Sequence, residues 1–279
     1  MSHLPARLAL LSGNFITGLA VLAPAGMLPE LSAALGVTVR DVGLLVTYGA
    51  VVLCFGSPII SWLTTRIGRR LLMSGTLAIV AAGHVLSAAV DSYAAILALR
   101  LSMLAFVAIY TPQAASTMAL IAAEKDRASA LAFVFLGWSL AIAVGLPLIT
   151  LSAAHIGWRE TYLLIGAVAG LSAALNAMSL PGGLQGHPLS LQSFVDIARS
   201  KTLMLILLIT LFQMSGQFSI TVYMAALAQT VAEGGPAAGG LLFSLLGAAG
   251  LIGNLAATRI VRLAGVNRTL GFFIIVMMA

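Results

Sequence analysis

The sequence predicts an all-α fold in which a polytopic bundle of helices spans a membrane. Hydrophobic residues make up 61% of the 279 residues, charged residues only 8%, and the mean hydropathy is +1.09. A soluble domain carries about a quarter charged residues and cannot bury so much apolar surface. Apolar runs of about 20 residues, the length that crosses a bilayer, alternate with short spacers that carry nearly all the charge.

The apolar runs predict eight complete spans and the beginning of a ninth. The complete spans cover residues 8–29, 42–63, 71–90, 94–122, 129–153, 161–180, 202–226 and 238–258. The ninth run, 269–279, has about half the length that a crossing needs, so we expect a C-terminally incomplete set of spans. A cleaved signal peptide is the alternative for the first run, which nevertheless exceeds the usual apolar region of about 7–15 residues.

The basic residues predict the orientation. With a cytoplasmic N-terminus, the outer side holds Arg40, Arg100 and Arg159, and the other 11 of the 14 Lys and Arg residues lie inside. The positive-inside rule therefore places the N-terminus in the cytoplasm. The net charge of +6 is then explained by orientation in a lipid bilayer, and no nucleic-acid partner is expected.

A polar stretch and an internal repeat divide the chain into two halves. The stretch "PGGLQGHPLSLQSFVDIARSK" (181–201) begins with helix breakers and becomes amphipathic. At an offset of 197 residues, "VGLLVTYGAVVLCFG" (42–56) lies over "GGLLFSLLGAAGLIG" (239–253), and Gly68 meets Gly265. We expect an N-terminal half of six helices (1–180), a cytoplasmic linker (181–201) and an incomplete C-terminal half (202–279), related by a parallel repeat.

The stretch "SWLTTRIGRR" (61–70) resembles the loop between spans two and three of one transporter family, approximately G-x-L-x-D-R-x-G-R-R. The matching positions are Arg66, Gly68, Arg69 and Arg70. Ser61 stands at the first glycine and Thr65 at the aspartate. The resemblance implies a cytoplasmic gating loop, and the missing acid weakens that implication. Topological anchoring alone is the alternative for these arginines.

Further along the chain, "DRASALAFVFLGWSLAIAVGLP" places Gly137, Gly145 and Pro147 where the antiporter branch of the same family has a Gly- and Pro-rich span five. The stretches "LGVTVRDVGLLVTYGAVVLCFGSP", "TPQAAS" and "IGWRETY" are also similar to that family. The chain thus resembles the major facilitator superfamily, in its drug- and sugar-efflux branch of proton antiporters. Close helix packing is the alternative explanation for the glycines.

The resemblance implies export of a small organic molecule by alternating access, coupled to protons. It also implies a monomer in the bacterial plasma (inner) membrane, with no cofactor, no metal and no catalytic residue. Two other interpretations stay open. One is a truncated fragment that inserts without transporting, and the other is a membrane-embedded lipid-modifying enzyme, which the lack of an acidic pair or nucleophile cluster at membrane depth disfavours.

Two ionisable residues are candidates for coupling. A charged side chain inside a bilayer costs about 2.5–3.5 kcal/mol on insertion scales, so Arg100 in span four is a functional candidate. The family has an arginine near this place in the pattern R-x-x-Q-G, of which only the arginine is present here. Asp41 is the nearest acid. The alternatives are an Arg100 side chain that reaches the outer headgroups and an Asp41 that serves as an N-terminal helix charge.

Polar side chains at helical spacing predict a substrate cavity. Gln213 and Gln217 lie on one face of span seven, together with Thr210 and Thr221, within about 80°. The predicted cavity residues in the other spans are Asn14, Thr17, Tyr110 and Gln113. Spans one and seven line the cavity in the family, and few charges suit an amphiphilic or apolar substrate. Hydrogen bonds between helices are the alternative role.

Overall fold

The computed structural model describes residues 4–184, 191–230 and 235–278, and these ranges are built of helices. The helices are α1 (Leu4–Gly26), α2 (Leu28–Leu35), α3 (Val39–Leu63), α4 (Arg69–Ala88), α5 (Tyr93–Ile121), α6 (Arg127–Leu140), α7 (Leu146–Ile156), α8 (Trp158–Ser179), α9 (Leu191–Arg199), α10 (Lys201–Thr221), α11 (Met224–Thr230), α12 (Pro236–Ala264) and α13 (Val266–Met278). A π-helical turn, Ala141–Gly145, joins α6 to α7.

Eight helical stretches of the described residues have the length and composition to cross a membrane. They are Leu4–Gly26, Val39–Leu63, Arg69–Ala88, Tyr93–Ile121, Ser129–Ile156, Trp158–Ser179, Lys201–Thr221 and Pro236–Gly253. Each overlaps one predicted span, and α13 contains the predicted start of the ninth. The prediction of an all-α polytopic membrane protein is confirmed.

The seventh predicted span, 202–226, is interrupted. Helix α10 ends at Thr221 and α11 begins at Met224. The two intervening residues pack inward: Val222 joins a small apolar cluster with Val46, and the Tyr223 ring lies where a Cβ on Gly43 would be. Neither residue at the break is Gly or Pro, the residues that usually interrupt a helix. Contacts with α3 therefore explain the break better than the helix propensity of the local sequence does.

Helix α1 lies at the centre of the bundle. It is the most buried of the spanning helices and contacts α3, α5, α6, α7 and α8. The two predicted span-five glycines explain how closely α6 and the π-helical turn approach it. A Cβ on Gly137 would collide with the carbonyl oxygen of Leu11, and a Cβ on Gly145 would collide with the Leu19 side chain.

The same segment contacts α12 on its other side. A Cβ on Gly240 would lie 3.7 Å from Cα of Pro147, and a Cβ on Gly247 would collide with the backbone of Ala143. Small residues thus let α12 approach α7 and the π-helical turn closely, as small residues do between membrane helices. Helix α10, in contrast, is exposed along nearly its whole length.

Candidate functional site

Arg100 is buried at a contact between three helices. Its side chain is 1% exposed. Its Nε donates to the carbonyl oxygen of Leu45 in α3 at 2.8 Å, and its Nη1 and Nη2 donate to those of Ala20 and Val21 in α1 at 2.9 and 2.5 Å. The alternative in which this side chain reaches the outer headgroups is therefore wrong.

The sequence of α1 explains why a carbonyl is available to Arg100. Pro24 has no backbone N–H, so the carbonyl of Ala20, four residues earlier, has no partner within the helix. Gly49 lets α5 approach α3 closely beside Arg100, because a Cβ there would lie 2.5 Å from Cδ1 of Leu104. The guanidinium therefore satisfies a carbonyl that the proline leaves unpaired.

Within the described ranges, the charge of Arg100 has no carboxylate partner. The salt bridge that the structure shows there joins Arg159 to Asp91, near the ends of α8 and α4. His84 and Tyr162 pack beside each other in the same part of the bundle, with ring centroids 5.6 Å apart. The His84 Nδ1 atom lies 2.8 Å from the carbonyl oxygen of Val80.

Asn14 belongs to a polar cluster between α1, α5 and α6. Its Nδ2 donates to the carbonyl oxygen of Val134 at 3.1 Å, and its Oδ1 accepts from Oγ1 of Thr111 at 2.9 Å. Nε1 of Trp138 donates in turn to Oγ1 of Thr111 at 3.2 Å. Asn14 is fully buried, whereas Thr111 and Trp138 are partly exposed. Sequence reasoning missed the last two, although "TPQAAS" begins with Thr111.

Tyr110 and Thr17 lie in packed interfaces. The Tyr110 hydroxyl donates to Oδ1 of Asn176 at 2.9 Å, and its ring fills the space where a Cβ on Gly13 would be. The Thr17 hydroxyl donates to the carbonyl oxygen of Gly13 at 2.8 Å. Both residues are at most 3% exposed, so neither presents a free hydroxyl to a cavity.

The predicted cavity residues of spans four and seven lie apart from this cluster. Gln113 is half-buried in α5. Gln213 and Gln217 lie on the exposed part of α10, where α9 is the neighbouring helix. Only the C-terminal end of α10 packs against the core, through Phe218. The structure therefore does not bring the two glutamines together with Asn14.

The predicted gating loop connects α3 to α4. The Thr65 hydroxyl donates to the carbonyl oxygen of Trp62 at 2.9 Å, and Gly68 precedes the first residue of α4. Arg66 and Arg70 are exposed. Arg69 is only 7% exposed, and its Nη2 donates to Oγ of Ser116 at 3.3 Å. The three arginines therefore have different environments.

Asp41 caps the N-terminus of α3. Its Oδ2 accepts from the backbone N–H of Thr38 at 3.0 Å and from the Thr38 hydroxyl at 2.6 Å, while its own N–H donates back to that hydroxyl at 3.1 Å. This reciprocal arrangement is a capping box. It accounts for the acid at this position without a transport role.

The fold is that of a polytopic membrane protein, in which spanning helices pack around a central helix. A family model described as Major Facilitator Superfamily matches residues 10–279. The chain belongs to the Major Facilitator Superfamily, a family of transporters rather than enzymes.

Curated relatives are also transport proteins. The chain is 29% identical over 231 residues to the uncharacterized MFS-type transporter YtbD of Bacillus subtilis (strain 168), which covers 82% of this chain and 58% of that protein. It is 27% identical over 275 residues to the inner membrane transport protein YdhP of Escherichia coli (strain K12), which covers 97% of this chain and 69% of that protein. The chain thus spans between half and three quarters of the length of these relatives.

Solved structures support the fold. A bacterial homologue of the human lysosomal transporter Spinster, in an inward-facing and unoccupied conformation, has a TM-score of 0.71 at 17% identity, covering 92% of this chain and 62% of that one. The peptide transporter POT in complex with alafosfalin has a TM-score of 0.56 at 14% identity, covering 79% and 48%. At these identities the likeness concerns the fold alone.

Proposed function

We propose that this chain exports a small organic molecule from the cytoplasm by alternating access, in exchange for protons. The protein of this proposal is a monomer in the inner membrane with its N-terminus in the cytoplasm. The excess of basic residues on one side supports the orientation. The Escherichia coli relative is an inner membrane transport protein, which supports the inner membrane as the location.

The observation that carries the proposal is the environment of Arg100. A buried charge is costly to keep at membrane depth, and this one is held by three backbone carbonyls instead of an acid. Its positive charge therefore stays uncompensated by any carboxylate of the described residues. Such a positive charge lowers the proton affinity of a proton-carrying group that approaches it. Movement of that group towards Arg100 would therefore release its proton.

The surrounding helices support a moving part at this place. Arg100 links α5 to α3 and to α1 where Pro24 interrupts the hydrogen-bond ladder of α1. Proline in a membrane helix leaves backbone groups that neighbouring side chains satisfy. We assign Arg100 to the coupling step as a positioning residue. Asp41 was the second predicted coupling group, and the proposal does not rest on it because its carboxylate belongs to the capping box.

The polar cluster of Asn14, Thr111 and Trp138 supports the substrate class. Its partly exposed members, Thr111 and Trp138, offer a hydroxyl and an aromatic ring without a formal charge, and Gln113 lies two residues beyond Thr111. A neutral or amphiphilic molecule, such as a drug-like compound or a sugar, fits these groups better than an anion does. The exposed Gln213 and Gln217 would join such a cavity only after α10 packs against the bundle.

Two segments would permit the change of state. The π-helical turn ending at Gly145, between Gly137 and Pro147, contacts α1 on one side and α12 on the other. Irregular turns of this kind often mark functional positions in helices. The exposed Arg66 and Arg70 of the loop that also contains Thr65 and Gly68 are free to contact the second half in one of the two states.

Accumulation of test compounds in everted inner-membrane vesicles tests the proposal. Vesicles with an acidic lumen are supplied with a panel of neutral drug-like compounds and sugars. We expect pH-gradient-dependent accumulation of at least one compound, its loss in Arg100→Gln, and its retention in Arg40→Gln. Arg40 is the matched control because it is an exposed arginine.

The outcomes separate the alternatives. Accumulation that survives Arg100→Gln contradicts the role assigned to Arg100. Correct insertion with no accumulation of any compound favours a transport-inactive fragment. Accumulation that persists after the pH gradient is collapsed supports transport without proton coupling.

A further inference from the structure

A pocket of about 380 Å³ lies between the N-terminus of α4 and the C-terminal end of α8. Its lining comes from the first residues of α4 and from the turn that follows α8. The lining residues are Gly68, Arg69, Arg70, Leu71, Ser74, Ala177, Gly182 and Gly183. We propose that this pocket binds the phosphate group of an anionic membrane phospholipid.

The N-terminus of α4 supplies donors for an anion. Gly68 occupies the capping position and has no side chain, so no side-chain cap covers the first turn. The N–H of Arg69 donates to the carbonyl oxygen of Leu184 at 2.9 Å, and that of Leu72 to Gly68. The N–H groups of Arg70 and Leu71 have no such partner among the described residues. First-turn N–H groups and the helix dipole together favour a phosphate.

Arg69 is the second, independent observation. It lines the pocket and is 7% exposed, yet it forms no salt bridge within the described ranges. Its Nη2 donates to the neutral hydroxyl of Ser116, and its buried Nε has no acceptor there. A buried charge is costly unless its hydrogen-bond donors have acceptors, and the Arg69 guanidinium has one neutral hydroxyl where that of Arg100 has three carbonyls. An anion in the adjoining pocket supplies further acceptors.

The position of the pocket favours a lipid over a soluble anion. Leu71 and Met178, on the two helices that flank the pocket, are 70% and 81% exposed, as expected of side chains that face acyl chains. Arg70 and the turn at Gly182 and Gly183 are exposed at the polar end. Gly183 has a φ of 76°, and no atom of the described residues lies within 4 Å of a Cβ added there.

The loop arginines provide a matched pair for the experiment. Arg70 and Arg66 are both exposed, but only Arg70 lines the pocket. The purified chain is exchanged into nanodiscs of phosphatidylcholine, alone or mixed with phosphatidylglycerol, and retained lipid is counted by native mass spectrometry. We expect Arg70→Gln to lower the relative retention of phosphatidylglycerol about tenfold, as for the loss of a charge-assisted hydrogen bond, whereas Arg66→Gln leaves it unchanged.

A second pair changes the pocket without changing charge. Ser74→Leu narrows the pocket, whereas Ala78→Leu adds at least as much bulk one turn further along, outside the lining. Only Ser74→Leu is expected to reduce phosphatidylglycerol retention. Equal losses in Arg70→Gln and Arg66→Gln, or no loss in Ser74→Leu, overturn the proposal. Displacement of the lipid by inorganic phosphate at equal concentration also overturns it and identifies a soluble anion instead. These readouts are independent of transport.

Discussion

Removal of the Arg100 guanidinium should destabilise the bundle by an amount that depends on Pro24. Arg100→Met keeps an unbranched apolar stem but removes three hydrogen bonds, to the carbonyls of Leu45, Ala20 and Val21. Interhelical hydrogen bonds in membrane proteins contribute about 0.6–1.7 kcal/mol each. The expected loss in free energy of unfolding is therefore about 2–5 kcal/mol.

Pro24 makes this prediction specific. The carbonyls of Leu45 and Val21 keep the partners that the helical i to i−4 pattern provides, but the carbonyl of Ala20 has none. In a Pro24→Ala background, the new N–H can bond to Ala20, so the carbonyl is no longer left unpaired. We expect Arg100→Met to cost about 1 kcal/mol less in that background, the net value of one hydrogen bond.

A double-mutant cycle measures the coupling. The wild-type chain, Arg100→Met, Pro24→Ala and the double variant are unfolded reversibly in detergent micelles, and the four free energies are compared. Additive effects of the two substitutions would contradict the assignment of the Ala20 carbonyl as an acceptor that only Arg100 satisfies. A gain in stability in Arg100→Met would contradict the view that its hydrogen bonds outweigh the cost of burial.

Two other substitutions test the packing around α1. Gly137→Ala should cost about 1–3 kcal/mol, because the added Cβ meets the backbone of α1. Gly75→Ala should be tolerated, because no atom of the described residues lies within 4 Å of its Cβ. Equal stability of the two variants would refute the close contact at Gly137. Tyr110→Phe should cost about 1 kcal/mol through the lost bond to Asn176, whereas Tyr48→Phe, which is 44% exposed, should not change stability. Thermal unfolding in detergent compares each pair.

The spans could be predicted because hydropathy and length determine them. Charge in the spacers likewise separated the predicted spans, and Asp41 was considered as an N-terminal charge of the helix that is α3. The interruption between Thr221 and Met224 could not be predicted, because Val222 and Tyr223 turn inward to contacts on α3 that are distant in sequence.

The candidate site could be predicted only in part from the sequence. Arg100 stood out because a charge in a span is costly, but its partners are backbone carbonyls, which leave no side-chain signal apart from Pro24. Thr111 and Trp138 were not predicted as site residues, because a hydroxyl and an indole do not interrupt an apolar run. Helical spacing placed Gln213 on a polar face, but the spacing within one helix does not determine which other helix covers that face.

The most direct test of the central claim is the proton flux that accompanies transport in proteoliposomes with an acidic lumen. A transported compound added outside should release lumenal protons in proportion to its uptake, with the release lost in Arg100→Gln and kept in Arg40→Gln. Uptake of the compound without proton release, or equal release in Arg100→Gln, would contradict the account.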